Sequence, residues 1–325
     1  MINIKPQRTV KYANVANGST HWSNQKACAK CKCETIYLSE RMRDESGRFM
    51  VPLPFIESCK QERFLGSRQM ALRSFQNLER KLQTNPSLHQ AYSVFMSDYE
   101  SLGHKSIAPS PGDYFIPHHP VFKGDATTNK ILVVFVASAT TSSNRSLNQC
   151  LFTGPKLRKD IVDILLRFRV HQFAFTADVC KMYQQILVLS QYRKCQHIFW
   201  RASPLDEIKE YLLTTVAYGV NCAPYLALRV LKDLAKICCK ELSGVKQALT
   251  HQTYVYDIYV GADSIDQLLM LKYYLTYILS TSGFELKKWS SNDPQILAFI
   301  PQKDRVQRIL QFDDPEAGLV NRFFF

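Results

Sequence analysis

Between residues 251 and 291 the apolar positions pass from strand-like to helical spacing and back. Tyr254, Val255, Tyr256, Ile258, Tyr259 and Val260 are aromatic or β-branched, which suits a pleated surface, and Gly261 closes the run. One acid, Asp257, interrupts it, so the pattern predicts a hairpin with a carboxylate at its tip. Gly261-Ala262-Asp263-Ser264 then opens a stretch in which Leu268, Leu269, Leu271, Leu275 and Ile278 recur at roughly helical spacing, until Ser282-Gly283 stops it. The segment reads as a β-hairpin leaned on by one amphipathic helix, with a further strand behind.

Four other stretches carry a period. Phe173–Asp178 alternates into a strand that ends in an acid, and Val179-Cys180-Lys181-Met182-Tyr183 turns from it toward helix. Lys130–Val136 is a continuous apolar run after its lysine, the signature of a strand covered on both faces, and a Ser/Thr/Asn-rich loop follows over 138–148. Ala71, Leu72, Phe75, Leu78 and Leu82 line one face of a helix; Asn85-Pro86 supplies a cap and a first-turn proline for a second, through Tyr92, Phe95, Met96 and Tyr99 to Gly103. Pro224 opens a helix packed through Leu226, Val230, Leu231 and Leu234. Gly47–Phe55 is a short apolar stretch whose Pro52 and Pro54 suit an edge strand. Residues 1–40 show no sustained period and are basic, so they predict an extended, poorly ordered extension.

Charge narrows the partners. Lys and Arg number 41 against 28 Asp and Glu, for a formal charge of +13 and a pI of about 9.2 over 325 residues. Such an excess favours a polyanion such as nucleic acid, against the plainer reading of a basic surface kept for solubility. Ten cysteines without regular pairing point to reduced thiols in an intracellular protein. No signal core opens the chain and no run of about 18 apolar residues occurs, so a cytoplasmic or nuclear location without a membrane span is expected.

Two clusters invite a metal reading. Cys28, Cys31 and Cys33, with His21 upstream, are zinc-type ligands, but a zinc ribbon needs a second pair at similar spacing and none follows, so zinc is not expected there. His118-His119 before Pro120 lacks convergent acids or cysteines, and structural use is the better reading.

Taken together, Tyr254-Val255-Tyr256-Asp257, Gly261-Ala262-Asp263 and Gly283-Phe284-Glu285-Leu286-Lys287-Lys288-Trp289 resemble the reverse transcriptase of Pao-type (Bel/Pao) LTR retrotransposons. His118-His119-Pro120-Val121-Phe122 and Thr176-Ala177-Asp178 followed by Lys181-Met182-Tyr183 continue the likeness in the family's order, over roughly residues 33–300. The resemblance implies an α+β right-hand polymerase, with a palm of antiparallel sheet backed by helices. It implies fingers over 41–165, a palm over 166–300, and in 301–325 the start of a thumb or connection, so that a thumb is truncated or absent. The family's other polyprotein domains are not expected in this chain.

It also implies roles. Asp178 and Asp257 would hold two Mg2+ (or Mn2+) ions for phosphoryl transfer onto a primer paired to an RNA or DNA template, with deoxynucleoside triphosphates as substrates. Tyr183 would stack under the incoming sugar, Tyr218 and Gly219 would meet the nascent base pair, and Lys288 would protonate the leaving pyrophosphate. Three departures weaken that chemistry. Tyr256 replaces the first acid of the family's Tyr-x-Asp-Asp tip, and a neutral phenol is a poor magnesium ligand. Leu132 stands where the family's triphosphate-gripping arginine falls, leaving Lys130 or Lys123 to reach over, and Val136 replaces an aspartate. The expectation is therefore an RNA-directed DNA polymerase domain that is impaired. The alternatives are a non-catalytic nucleic-acid-binding remnant and a decayed reading frame.

Overall fold

A computed structural model describes residues 28–59, 64–122, 131–238 and 241–306. In chain order these form α1 (Ala29–Glu40), β1 (Met42–Arg43), β2 (Phe49–Val51), α2 (Ser67–Gln83), α3 (Pro86–Ser101), β3 (Lys105–Ile107), β4 (His118–Phe122) and β5 (Ile131–Phe135). There follow α4 (Ile161–Arg169), β6 (Phe173–Val179), β7 (Leu187–Val188), α5 (Ser190–Arg193), β8 (His197–Trp200), β9 (Lys209–Leu213), α6 (Ala223–Cys238) and α7 (Ser243–His251). The last are β10 (Thr253–Tyr254), β11 (Asp257–Ala262), α8 (Ile265–Ser280), β12 (Leu286–Ser291) and α9 (Pro294–Leu297). The fold is α+β, as expected, with antiparallel sheets backed by helices.

The sheet that matters for function has the order β10-β11-β6-β12, all antiparallel. Alternation along β6 sends Phe175, Ala177 and Val179 into the main core with Ile258 and Val260 of β11 and Leu268, Leu275 and Ile278 of α8. The opposite face carries Ala174 and Tyr259, which close over Ile164 and Phe168 of α4 in a separate small cluster. Asp178 and Asp257 share the parity of Ala174 and Tyr259, so they stand on that second face, while α7 and α8 pack against the sheet from the first.

The helical pair forms where its period placed it. Ala71, Phe75, Leu78 and Leu82 are the buried face of α2; Asn85 caps α3 by accepting from the Leu88 amide at 3.0 Å; Tyr92, Met96 and Tyr99 are buried behind it. His118 lies buried between the Tyr92 hydroxyl and the Phe199 carbonyl, and burial lowers its pKa to about 4, so it is a neutral core group.

Four local expectations are corrected. Residues 29–40 are helical rather than poorly ordered, because Cys33 and Tyr37 are fully buried on one side of α1; residues 1–27, with His21, lie outside the described residues. β2 is the middle strand of the order β1-β2-β7, not an edge, since Pro52 and Pro54 fall beyond its paired residues. β5 is covered on one face only, because it forms a two-stranded ribbon with β4: Val133 and Phe135 are buried and Leu132 is exposed. Asp257 is not at the hairpin's tip. Val255 and Tyr256 make the turn, and Asp257 begins β11 opposite Tyr254.

Candidate active site

The register of β11 against β6 sets Asp257 directly opposite Asp178. Cross-strand partners have Cα atoms about 5 Å apart, so two acids 79 positions apart in the chain share one patch of sheet. On the other side of β6, β12 loses register between Lys287 and Ser290, a bulge in which Lys288 takes a left-handed φ of 51°. That turn aims the Lys288 ammonium back across β6, and its Nζ donates to Asp178 Oδ2 at 2.7 Å.

Strain gathers here. Among the described residues, Asn144, Lys181, Val255 and Lys288 are the non-glycine positions with positive φ, and all but Asn144 flank the acid pair. Val255, at 59°, is β-branched and pays most for that conformation. It reverses the chain between β10 and β11, and the Tyr256 carbonyl beside it accepts from the Val179 amide at 2.8 Å. The hairpin turn is thus tied to the end of the strand that carries Asp178.

Electrostatics separate the two carboxyls. Burial, then the charge of Asp178, push Asp257 up to about 6, with Lys288 offsetting part of the rise. Burial works against the Lys288 ammonium, but the hydrogen bond to Asp178 and the charges of Asp178 and Asp257 outweigh it and hold the lysine above its usual value. Lys288 is therefore a stable cation lodged on one acid, and its expected proton-donor role would require that contact to open.

Around this centre stand the aromatic residues singled out in the sequence. Tyr183, on a 3-10 turn after β6, and Tyr218 pack edge to face with ring centroids 4.8 Å apart. Burial, then neighbouring phenols, raise both pKa values, and Tyr218 also feels the charge of Asp178. Tyr183 is only 9% exposed, so its ring serves as much to support Tyr218 as to offer a platform. Gly219 has a φ of +99°, and a Cβ there would meet the Phe135 carbonyl oxygen at 1.9 Å, which explains the glycine by its approach to β5. Lys130 and Lys123 lie outside the described residues. Asp263 is engaged with His171 at the far end of β11, 2.9 Å away. Sequence reasoning assigned no role to Lys181 or to Lys287, which pairs across from Asp178 and bonds Asp304 at 3.0 Å. The Lys287-Lys288 doublet in a strand was the available signal.

The donors suit a pair of hard cations poorly. Two carboxylates converge where three are usual; one already accepts from an ammonium, the other is driven toward protonation, and the half-exposed Tyr256 offers only a phenol. No group of three or more His, Cys, Asp or Glu side chains suited to a metal converges among the described residues. At the start of α1, the N-cap Cys28 and Cys31 are exposed with sulfurs 2.9 Å apart, whereas Cys33 faces the core and burial pushes its thiol up to about 11, so the three sulfurs do not share a face. Among the described residues no helix is long and apolar enough to cross a membrane.

Asp257→Asn tests the acid pair through stability. An unfolded aspartate ionises near 3.9, whereas the folded one holds its proton to about 6. Between those values the folded chain binds a proton that the unfolded chain has released, so stability falls as pH rises through this window and stays reduced above it. The variant is expected to melt about 3 °C higher at pH 8, near 1 kcal/mol after allowance for solvent screening, and to match the parent at pH 4. Equal melting points at pH 8 would show that burial and Asp178 together do not disfavour the ionised Asp257.

No protein-family model matches the chain, and no curated protein does. Among solved structures it is similar to the prototype foamy virus protease-reverse transcriptase CSH mutant, at 19% identity and a TM-score of 0.49, covering 63% of this chain and 24% of that one. It is similar also to the foamy viral protease-reverse transcriptase dRH in complex with ds DNA, at 18% identity and a TM-score of 0.47, covering 62% of this chain and 30% of that one. A third, the foamy viral protease-reverse transcriptase in complex with RNA/DNA hybrid, is 16% identical with a TM-score of 0.45, covering 59% of this chain and 22% of that one. The chain spans less than a third of the length of each of these.

Proposed function

We propose that this chain is the fingers and palm of a Pao-type reverse transcriptase whose strand-synthesis chemistry is impaired and which keeps the capacity to hold a primer-template. The observation that carries the reading is the register of Asp178 against Asp257, with Tyr256 in the place of a third acid and Lys288 seated on Asp178. On this reading residues 41–165 are fingers, 166–300 palm and 301–325 the start of a thumb or connection, of which 307–325 lie outside the described residues. Asp178 and Asp257 are the remaining metal-side acids, and Tyr218 and Gly219 face the terminal base pair.

The +13 charge supports the polyanion partner. Purified protein is expected to bind an RNA-DNA primer-template at low-micromolar concentration in about 50 mM salt, and to lose that affinity steeply as salt rises. With deoxynucleoside triphosphates and Mg2+ or Mn2+ it is expected not to extend the primer. Robust synthesis by the unaltered chain would overturn the impairment. Undetectable or salt-independent binding would remove the nucleic-acid reading altogether.

A further inference from the structure

A groove of about 650 Å³ runs between α1 and α6, floored by Pro155 and Leu157. Its two acids are already committed: Glu34 holds Arg229 and the Tyr225 hydroxyl, and Asp233 holds Arg229 and Arg41. Lys30, Lys232 and Lys236 line the same groove, and none of them lies within ion-pair distance of an acid among the described residues.

The positive charge continues past the groove's rim. Lys159, just before α4, opposes the protonation of Lys232, which burial lowers first and Glu34 partly restores; burial, then Lys159, Arg167 of α4 and Lys232, lowers His251. Of the elements that carry these charges, α4 and α7 contact β10, the edge strand of the acid-bearing sheet. α6 packs on α7, which lies on the core side of that sheet, whereas α4 packs on the face that carries the acid pair, so the cations extend from the groove on the core side toward the β10 edge and α4. A chain with cations to spare could scatter them at no cost. Gathering them in a recess raises the energy of the free protein and is repaid only when a multiply charged anion lies along the row.

We infer that the groove lysines Lys30, Lys232 and Lys236, with Lys159 beside Lys232, form a second contact for the phosphodiester backbone of nucleic acid, centred between α1 and α6 and distinct from the acid pair. The inference rests on the nucleic-acid reading above and adds where one strand is held. A backbone is favoured over a flat lipid surface because three of the cations line a groove rather than a plane. Such a contact is blind to base sequence.

The test compares the full chain with Lys159→Gln/Lys232→Gln/Lys236→Gln, using a labelled DNA duplex with a single-stranded overhang and, separately, phosphatidylserine vesicles. The triple variant is expected to bind the duplex about tenfold more weakly at low salt, and to lower the slope of log K against log salt by about 2 to 3. Its melting point should change little, since none of the three lysines forms an ion pair among the described residues and Lys232 feels more repulsion from Lys159 and Arg229 than attraction from Glu34; an unchanged melting point would show that weaker binding does not reflect unfolding. Arg73→Gln/Lys209→Gln/Lys303→Gln, equal in charge and elsewhere on the surface, should change affinity less than twofold, on the order of ordinary surface substitutions. Parent-like affinity and slope in the groove variant would overturn the inference while leaving the proposed function standing. Equal losses in both triple variants would overturn it too, by reducing it to net charge. Vesicle binding that depends on the three lysines, with duplex binding unaffected, would reassign the groove to membranes. If the parent itself binds no duplex, the proposed function fails first.

Discussion

Tyr256→Asp is expected to give a protein that extends a primer in Mn2+ where the parent does not, and adding Leu132→Arg and Val136→Asp to increase the yield. Tyr256 is 44% exposed at the turn between β10 and β11, and its structural tie is made by the backbone carbonyl, which survives the substitution. The change therefore costs the fold little and places a third carboxylate beside Asp257 and Asp178. Preorganised charge supplies most of the catalysis in phosphoryl transfer, so a gain of about a hundredfold or more over background is the scale to look for. A third acid also has a cost: it adds repulsion to a site where Asp257 already ionises only near 6. The variant should accordingly be less stable than the parent in chelator and be stabilised by millimolar Mg2+ or Mn2+, a linkage that the parent should lack. A variant with neither ion-dependent melting nor extension would mean that the site cannot be rebuilt from this hairpin.

The acid pair was legible through the family resemblance, which implied that the strand ending in Asp178 lies beside the hairpin that carries Asp257. The structure supplies the register, Asp257 opposite Asp178, and period two then puts the two acids on a common face. The faces of α2, α3, α6 and α8 followed from helical spacing. What alternation cannot show is where it breaks. Lys288 reaches Asp178 only through a bulge and a left-handed residue, and a strict strand would have sent two adjacent lysines to opposite faces. The one-sided burial of β5 was hidden for a related reason, since a run of apolar residues looks the same in a ribbon as in a covered sheet. α1 was missed because its order comes from contacts with residues almost two hundred positions away.

Those distant contacts lead to the largest expected loss of stability, from Asp233→Ala. Asp233 is 2% exposed and accepts from Arg41 on one oxygen and, at 2.5 Å, from Arg229 on the other. Arg229 also bonds Glu34 at 2.6 Å, and the Tyr225 hydroxyl meets the same glutamate at 2.7 Å, so one carboxylate on α6 anchors the middle and the C-terminal end of α1 through this chain of partners. Both guanidinium groups lie over the Tyr37 ring, whose burial helps order that helix. Removing the acid leaves two half-buried guanidinium groups short of a counter-charge, and breaking a buried pair by deleting one partner costs about 3–5 kcal/mol. A fall in melting temperature of roughly 10 °C is expected, with new proteolytic cleavage between residues 29 and 41 before the rest of the chain yields. Glu34→Gln/Arg41→Met/Arg229→Met/Asp233→Leu should recover much of the loss, because apolar packing can replace an ion network once no charge is stranded, and the carboxamide carbonyl introduced at position 34 can still accept from Tyr225. If Asp233→Ala melts within about 1 °C of the parent, α1 is held by Cys33 and Tyr37 alone, and the arginines are surface charges that happen to lie close.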